Sequence, residues 1–340
     1  MTPPIADVGL SPEPPDRAKF DAATLMRQHP PVLRNPNKLV VFRMACPDGT
    51  AGGHVSYSRW PEMSLPGTVD PGRAAGRIAV SDGFYDYKPL ASAPALEWHV
   101  NFADPRLFYA YGSSLFAQDE MQVAEHPVLG SLREALVAER RSTLTVEDGR
   151  PRPVLVMGAE RRVRIATDRS AADGRPNGLY GNAFADAGSD AIRRATTTID
   201  PPTISNIIAI AAPAGGHGRY RKEQIELVLA TAYSGFRAAV VESRRATASS
   251  AEAVVHSGFW GCGAFGGNRV LMTLLQALAA EMAGVGELMI HIGDPTGRAA
   301  VAQAGDLLRG LLAEPDPAGT DELVGRIDAL GLEWGHSDGN

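Results

Sequence analysis

From about residue 76 onward the chain alternates short apolar runs with longer stretches of helical periodicity. The runs are RIAV, LEWHVNF, PVLVMG, RVRIAT, NIIAIAAP, AAVVESR, AVVHSG and ELMIHIG. Each is short, β-branched and nearly continuous, the pattern of strands covered on both faces. Residues 221–233 carry Ile225, Leu227, Val228 and Leu229 behind a charged start, which predicts a helix. Residues 268–282 set Leu271, Leu274, Leu275, Leu278 and Met282 on one face, with Asn268 as N-cap. Strand–helix alternation predicts an α/β sheet with helices on both sides. The tail from Ala299 predicts two further amphipathic helices split by EPDPAG.

Before residue 76 the texture differs. Residues 1–20 are Pro-rich and expected to be disordered or loosely draped. AATLMRQH predicts a short helix and KLVVFRMA, residues 38–45, a strand. The organisation expected is an accessory segment over 1–75, a main domain over 76–298 and a helical tail over 299–340. SAADGRPNGLYGNAFADAGSD has the composition of a long surface loop, a kind of segment often recruited for binding.

Composition narrows the function. The chain has 340 residues, 44% of them hydrophobic, enough for a large core, and a formal charge of −6. It lacks a sustained Lys/Arg run, so a groove for free nucleic acid is not expected. Its apolar runs fall short of the roughly 20 residues of a membrane helix, and no signal core stands at the start. Cys46 and Cys262 lie far apart, which suits a reduced, cytoplasmic protein without a disulfide framework. A monomer is expected. Eight scattered histidines without H-E-x-x-H or cysteine partners argue against a metal site, and no cofactor is expected.

One stretch combines features that neither a linker nor a core segment explains: GFWGCGAFGGN, Gly258 to Asn268. It lies between a strand pattern and a helix pattern. Glycines at such a turn let backbone N–H groups approach an anion, and a helix N-terminus favours negative charge. Phosphate binding is the leading reading; a tight turn packed by Trp260 and Phe265 is the bland one. Gly261-Cys262-Gly263-Ala264-Phe265-Gly266 also fits the G-x-G-x-x-G dinucleotide fingerprint, which keeps a nicotinamide-dinucleotide enzyme as an alternative.

At these residues the chain resembles the poly(ADP-ribose) glycohydrolase family, which carries W-G-C-G-A-F-G-G-D/N and then a helix beginning L-x-x-L-L-Q-x-L-A-A. Here residues 260–268 are WGCGAFGGN and the helix contains LMTLLQALAAEM. Two further matches keep the family's order. Ala232-Tyr233-Ser234-Gly235-Phe236 resembles A-Y-C-G-F, and Val100-Asn101-Phe102-Ala103-Asp104 with Gln118-Asp119-Glu120 resembles V-D-F-A-N with Q-E-E at the family's own spacing. The resemblance spans about residues 90 to 295. It implies a macrodomain-like three-layer α/β/α fold with a mixed sheet, and cleavage of the ribosyl glycosidic bond of an ADP-ribose conjugate on protein or nucleic acid. It makes Glu120 the general acid/base with Asp119 beside it. It places Asp104, Gln118, Gly261, Gly263, Ala264, Phe265, Gly266, Gly267, Asn268 and Ile292 around the ligand, and Tyr180, in the long NGLYGNAF loop, is expected to cover the nucleotide. A carboxyl group suits that chemistry, because the leaving oxygen needs a proton and the incoming water needs a base.

The chain also departs from the family. Its triple glycine falls on Phe108-Tyr109-Ala110, with Gly112-Ser113-Ser114 four residues on. The ring expected against adenine is Ile292, and the I-D-A strand reads Ile210-Ala211-Ala212. These changes bear on the nucleotide's pose and keep a second function open: an ADP-ribose-binding module without turnover. His256, His291 and the basic stretch at 215–222 are further residues that would stand near a phosphate or base, each with a structural role as the alternative.

Overall fold

The computed structural model describes residues 13–70, 78–89, 95–247, 252–313, 316–337 and 339. The strands are β1 (Asp16–Asp21), β2 (His54–Arg59), β3 (Thr68–Val69), β4 (Ile78–Ser81), β5 (Ala95–Phe102) and β6 (Val146–Glu147). They continue as β7 (Arg150–Pro151), β8 (Val154–Ile165), β9 (Thr196–Ile210), β10 (Glu252–Gly258), β11 (Glu287–His291) and β12 (Ala318–Gly319). The helices are α1 (Ala22–Gln28), α2 (Pro36–Ala45), α3 (Gln118–Glu125), α4 (Val128–Ala138) and α5 (Ala183–Asp186). After them come α6 (Ser189–Ala195), α7 (Lys222–Thr247), α8 (Arg269–Ala283), α9 (Gly297–Leu311) and α10 (Thr320–Ala329).

Eight strands form one mixed sheet in the order β1-β2-β8-β9-β5-β10-β11-β4. The block β9, β5, β10, β11 and β4 is parallel, while β8, β2 and β1 are antiparallel neighbours on its flank. Side-chain alternation divides the interior in two. Ile208 and Ile210 of β9 with Trp98 and Val100 of β5 join the apolar layer under α7 to α10. Ile207 and Ala209 with Val154 and Val156 of β8 join the layer that holds α1, α2, α4 and α6. The result is the expected three-layer α/β/α arrangement. Its mixed sheet is not the all-parallel sheet of a dinucleotide-binding domain, and it removes the main support for that alternative.

Four sequence expectations are corrected. KLVVFRMA is not a strand: Asn35 Oδ1 accepts the N–H groups of Asn37 and Lys38 at 2.9 and 3.3 Å, Pro36 occupies the first turn, and the run continues as α2. A side-chain cap followed by proline outweighs the β propensity of two valines. AAVVESR is not a strand either but the second half of α7. Buried Ile225, Val228, Leu229, Ala232, Phe236, Ala239, Val240 and Ser243 keep helical spacing throughout, and Gly235 lets the helix approach the sheet. A Cβ there would stand 2.9 Å from Ile210 and 3.1 Å from Ile208. PVLVMG and RVRIAT are one long strand, β8, with an irregular register at Gly158. Finally, residues 16–20 are not loosely draped, since β1 pairs with β2 from Asp16 to Asp21. Residues 1–12 lie outside the described residues. β1 and β2, both before residue 76, are strands of the main sheet.

AATLMRQH forms α1, capped by Asp21, and residues 268–282 form α8 with Asn268 as its cap. The loop from 170 to 190 contains α5 and the start of α6, and it buries Leu179 and Phe184. The tail helices are α9 and α10.

Candidate active site

The parallel strands β5, β10, β11 and β4 all deliver their C-terminal ends to one side of the sheet, where ligands of open α/β folds bind. The segments leaving those ends enclose a cleft of about 830 Å³, within the range of small-molecule sites. One wall is the loop after β10, the opposite wall is the loop after β5 with the first turn of α3, and a third side comes from Phe84, Tyr180 and Ile292.

The glycine loop is braced from within. Trp260 is 1% exposed and its Nε1 donates to Ile210 O at 3.0 Å, so the indole anchors the loop to β9. Gly267 N–H donates to Gly261 O at 2.8 Å and closes the loop on itself. The N–H groups of Gly263, Ala264 and Phe265 make no hydrogen bond within the described residues, and all three residues line the cleft. Consecutive unpaired amides of this kind form an anion-binding concavity. Here the sequence expectation shifts. The amides of Val270 and Leu271 in the first turn of α8 are not available to a ligand, because Asn268 Oδ1 accepts them at 3.0 and 3.1 Å. Asn268 Nδ2 donates to Glu333 O at 2.8 Å, so this side chain is fully engaged although it borders the cleft. Gly266 is absent from the cleft lining and packs against residues 335–337. Cys262 borders the cleft as a thiol, since burial pushes it up to about 12.

The facing wall brings the acidic residues together. On β5, Trp98 and Val100 point into one apolar layer, and Asn101, on the opposite face, donates through Nδ2 to Asp119 Oδ1 at 3.0 Å. Gln118 grips the end of β5 with both halves of its amide: Oε1 accepts Phe102 N–H at 2.8 Å and Nε2 donates to Val100 O at 3.1 Å. That explains the fixed spacing between Phe102 and Gln118. Glu120, 3% exposed, caps its own helix, with Oε2 accepting Ala117 N–H at 2.9 Å. Gln118, Asp119, Glu120 and Asp104 all border the cleft. Burial raises the Glu120 carboxyl above the usual range; the Lys38 ammonium opposes this and the Asp104 charge adds to it. Burial, then the neighbouring Glu120 charge, raise Asp119 well above its ordinary value.

Phe108-Tyr109-Ala110 does not intrude into the cleft. Phe108 takes the left-handed conformation at φ 50° and buries its ring completely in the layer beneath, while Tyr109 is 53% exposed with the Arg106 guanidinium over its ring. Only Ala110 of the three borders the cleft. The backbone thus reaches a glycine-like conformation without glycine, held by the buried ring.

On the third side, Tyr180 stands parallel to Phe84, with centroids 6.1 Å apart and an interplanar angle of 4°. Ile292 is 2% exposed and borders the cleft beside Phe259. Phe84 was not among the residues expected from the sequence, yet it is 51% exposed and supplies the aromatic face missing at Ile292. The aromatic density of FYDY after RIAV was the signal for it. His291 borders the cleft, and burial lowers it to about 4. His256 lies behind it, 3.0 Å away, with Glu97 on its other nitrogen at 2.9 Å. None of residues 215–222 borders the cleft; Tyr220 instead stacks on Trp334 at 4.2 Å. His336 and Gly335 of the tail complete the rim beside the glycine loop. Among the described residues, no group of three or more His, Cys, Asp or Glu side chains is arranged to hold a metal ion, and no helix is long and apolar enough to cross a membrane.

The segment holding Tyr180, the glycine loop and Ile292 decides the relationship. Residues 178–295 match the family described as poly(ADP-ribose) glycohydrolase (PARG), macro domain fold. The PARG resemblance read from WGCGAFGGN is borne out on that segment, and so is the α/β macrodomain architecture. Asp104 and Gln118 to Glu120 lie N-terminal to the matched residues. No curated relative matches the chain. Among solved structures, the PARG of Thermomonospora curvata is 14% identical, with 79% of this chain and 88% of that chain covered and a TM-score of 0.44. The PARG of Deinococcus radiodurans in complex with ADP-ribose is 12% identical, with 86% and 94% covered and a TM-score of 0.38.

Proposed function

We propose that this protein hydrolyses the ribosyl glycosidic bond of ADP-ribose conjugates, with Glu120 as general acid and then general base. The observation that carries the proposal is one juxtaposition. A buried carboxyl whose pKa is raised by burial borders the same cleft as the three unpaired amides of the glycine loop. The amides and the glycine backbone receive the diphosphate without a metal ion. A protonated Glu120 gives its proton to the leaving oxygen as the C1″–O bond breaks and an oxocarbenium-like centre develops. The resulting carboxylate takes a proton from the water that attacks C1″, which restores the starting form. Asp119, fixed by Asn101, holds the first turn of α3 in register with the end of β5. Phe84 and Tyr180 give the nucleobase an aromatic face. The conjugate is ADP-ribosylated protein or nucleic acid.

The competing function, ADP-ribose binding without turnover, drew its support from the lost triple glycine. Phe108 weakens that support, because the backbone there already adopts φ 50° and the ring is buried. The test compares the parent with Glu120→Gln on mono- and poly-ADP-ribosylated protein and on ADP-ribosylated nucleic acid, following free ADP-ribose. The amide keeps an acceptor for Ala117 N–H but has no proton to exchange, so a loss of about 10²- to 10⁴-fold in kcat is expected with ADP-ribose binding retained. Equal release by both proteins removes Glu120 from the chemistry. Tight binding with no release by either establishes the binding module instead.

A further inference from the structure

Of the 33 basic side chains, 29 are arginine; the lysines are Lys19, Lys38, Lys88 and Lys222. Three of the four are exposed, and Lys38 is 2% exposed. Its place is unfavourable on two counts: the ammonium is removed from water, and it belongs to the first turn of α2, where the helix dipole repels a cation. Three backbone carbonyls compensate. Nζ donates to Leu115 O at 2.6 Å, to Tyr111 O at 2.7 Å and to Ala110 O at 3.5 Å. An ammonium can address three carbonyls that converge on one point, whereas the flat fork of arginine cannot. In a chain that otherwise favours arginine, that geometry accounts for the lysine.

Those carbonyls belong to the wall that faces the glycine loop. Ala110 and Leu115 border the cleft, and the segment runs on to Ala117, whose N–H Glu120 accepts. The charges acting on Lys38 are Glu120 and Asp119, both from α3. The same pair is faced by Asp104 from the loop after β5. On β8, which also packs on α2, Arg161 pairs with Glu125 and Arg162 with Glu160. On α6, Asp190, Arg193 and Arg194 are exposed.

We propose that Lys38 is a positioning residue for Glu120: its buried ammonium fastens the 110–115 wall, which runs on to Ala117, whose N–H the Glu120 carboxyl accepts. The fastening stands on the three carbonyl bonds and holds with or without turnover; its effect on the reaction rests on the glycohydrolase function proposed above. Burial lowers Lys38 to about 8, with Glu120 and then Asp119 opposing the shift. By reciprocity, whatever Glu120 adds to the basicity of Lys38, Lys38 subtracts from the basicity of Glu120.

The full chain is labelled with ¹³C at lysine Cε, which gives four titrating signals, and Lys38 is assigned by its loss in Lys38→Arg. Lys38 is expected to titrate near 8, about two pH units below the ordinary lysine value of about 10.4. Glu120→Gln is expected to lower Lys38 further by at least half a pH unit. In Lys38→Met, the limb of the kcat profile governed by Glu120 is expected to move to higher pH by a similar interval, with kcat falling more than KM rises. Lys38→Arg keeps the charge and is expected to leave that limb in place even if its rate is lower. A merely structural lysine would change rates without moving the limb. The proposal is overturned if Lys38 titrates at the ordinary lysine value, or if Glu120→Gln leaves it unmoved. The labelled parent and Glu120→Gln decide this even if Lys38→Met does not fold or the parent shows no turnover.

Discussion

Replacing Gly267 with alanine probes the architecture of the glycine-loop wall more directly than any charge change. Gly267 donates its N–H to Gly261 O at 2.8 Å, and an added Cβ would stand 2.7 Å from that same oxygen, 3.1 Å from Gly261 C and 3.2 Å from Met272. The obstructing atoms are mostly backbone, so no flexible side chain can swing aside. Relief requires Gly261 O to move, which breaks the bond that closes the loop. Overpacking costs about 1–3 kcal/mol, and a lost backbone hydrogen bond adds about 1 kcal/mol. A chain of 340 residues unfolds with an entropy of about 0.7 kcal/mol/K, so the Tm is expected to fall by roughly 3–6 °C. The amides of Gly263, Ala264 and Phe265 hang between the two displaced glycines, and ADP-ribose affinity is expected to fall about 100-fold, or about 2.7 kcal/mol. Scanning calorimetry and titration calorimetry with ADP-ribose measure the two effects. Gly310→Ala is the control: it lies in α9 with open space around the new Cβ, and is expected to add up to about 1 kcal/mol without touching affinity. Parental affinity and a Tm within about 1 °C for Gly267→Ala would refute the account of the loop as a closed, over-determined cradle.

Two further outcomes follow from buried charge. Burial lowers His126 to about 3 and His291 to about 4, so below about pH 6.5 each of these two side chains binds a proton in the unfolded chain that it does not bind in the folded one. Stability is therefore expected to be lost as pH falls from about 6.5 towards 4, at up to about 1.4 kcal/mol per pH unit for each histidine, read as Tm against pH; a flat profile across that window contradicts this. Arg161 pairs with Glu125 at 2.8 Å, both nearly sealed from water, so Arg161→Met leaves a buried carboxyl without its cation. A loss of about 3–5 kcal/mol in chemical denaturation is expected, and less than 1 kcal/mol would mean that water reaches the pair.

What could be read from the chain depended on how local its cause was. WGCGAFGGN was legible because its composition suits neither linker nor core, and the Asn268 cap because a cap is set by residues two and three positions away. KLVVFRMA and AAVVESR were misread for the opposite reason. A helix buried on nearly every side shows the continuous apolar texture of an inner strand, and only the Asn35-Pro36 start and the spacing of buried positions tell them apart. Phe108 was legible as a departure but not as a solution, since its left-handed backbone is stabilised by a core assembled from distant segments. Lys38 was invisible as a functional residue: the carbonyls that make sense of it lie 72 to 77 positions downstream.

The proposed function asks a chain of net charge −6 to receive a diphosphate in a cleft that three carboxyl groups border, and the placement of each group bears on that electrostatic problem. In that proposal the glycine wall would meet the anion with uncharged amides, whose dipoles cost no counterion. The carboxyl groups of Asp119 and Glu120 are drawn out of water, which favours their protonated forms and reduces repulsion where the substrate enters. The proposed reaction uses Glu120 first as an acid and then as a carboxylate, so a charge that opposes the effect of burial serves both halves. Lys38 supplies the opposing pull from beneath, out of the ligand's reach, and so trims the shift without offering the diphosphate a competing cation. In the proposed mechanism the desolvation that favours Glu120 as a proton donor is thus opposed by a buried ammonium and by the backbone amides that the carboxyl accepts.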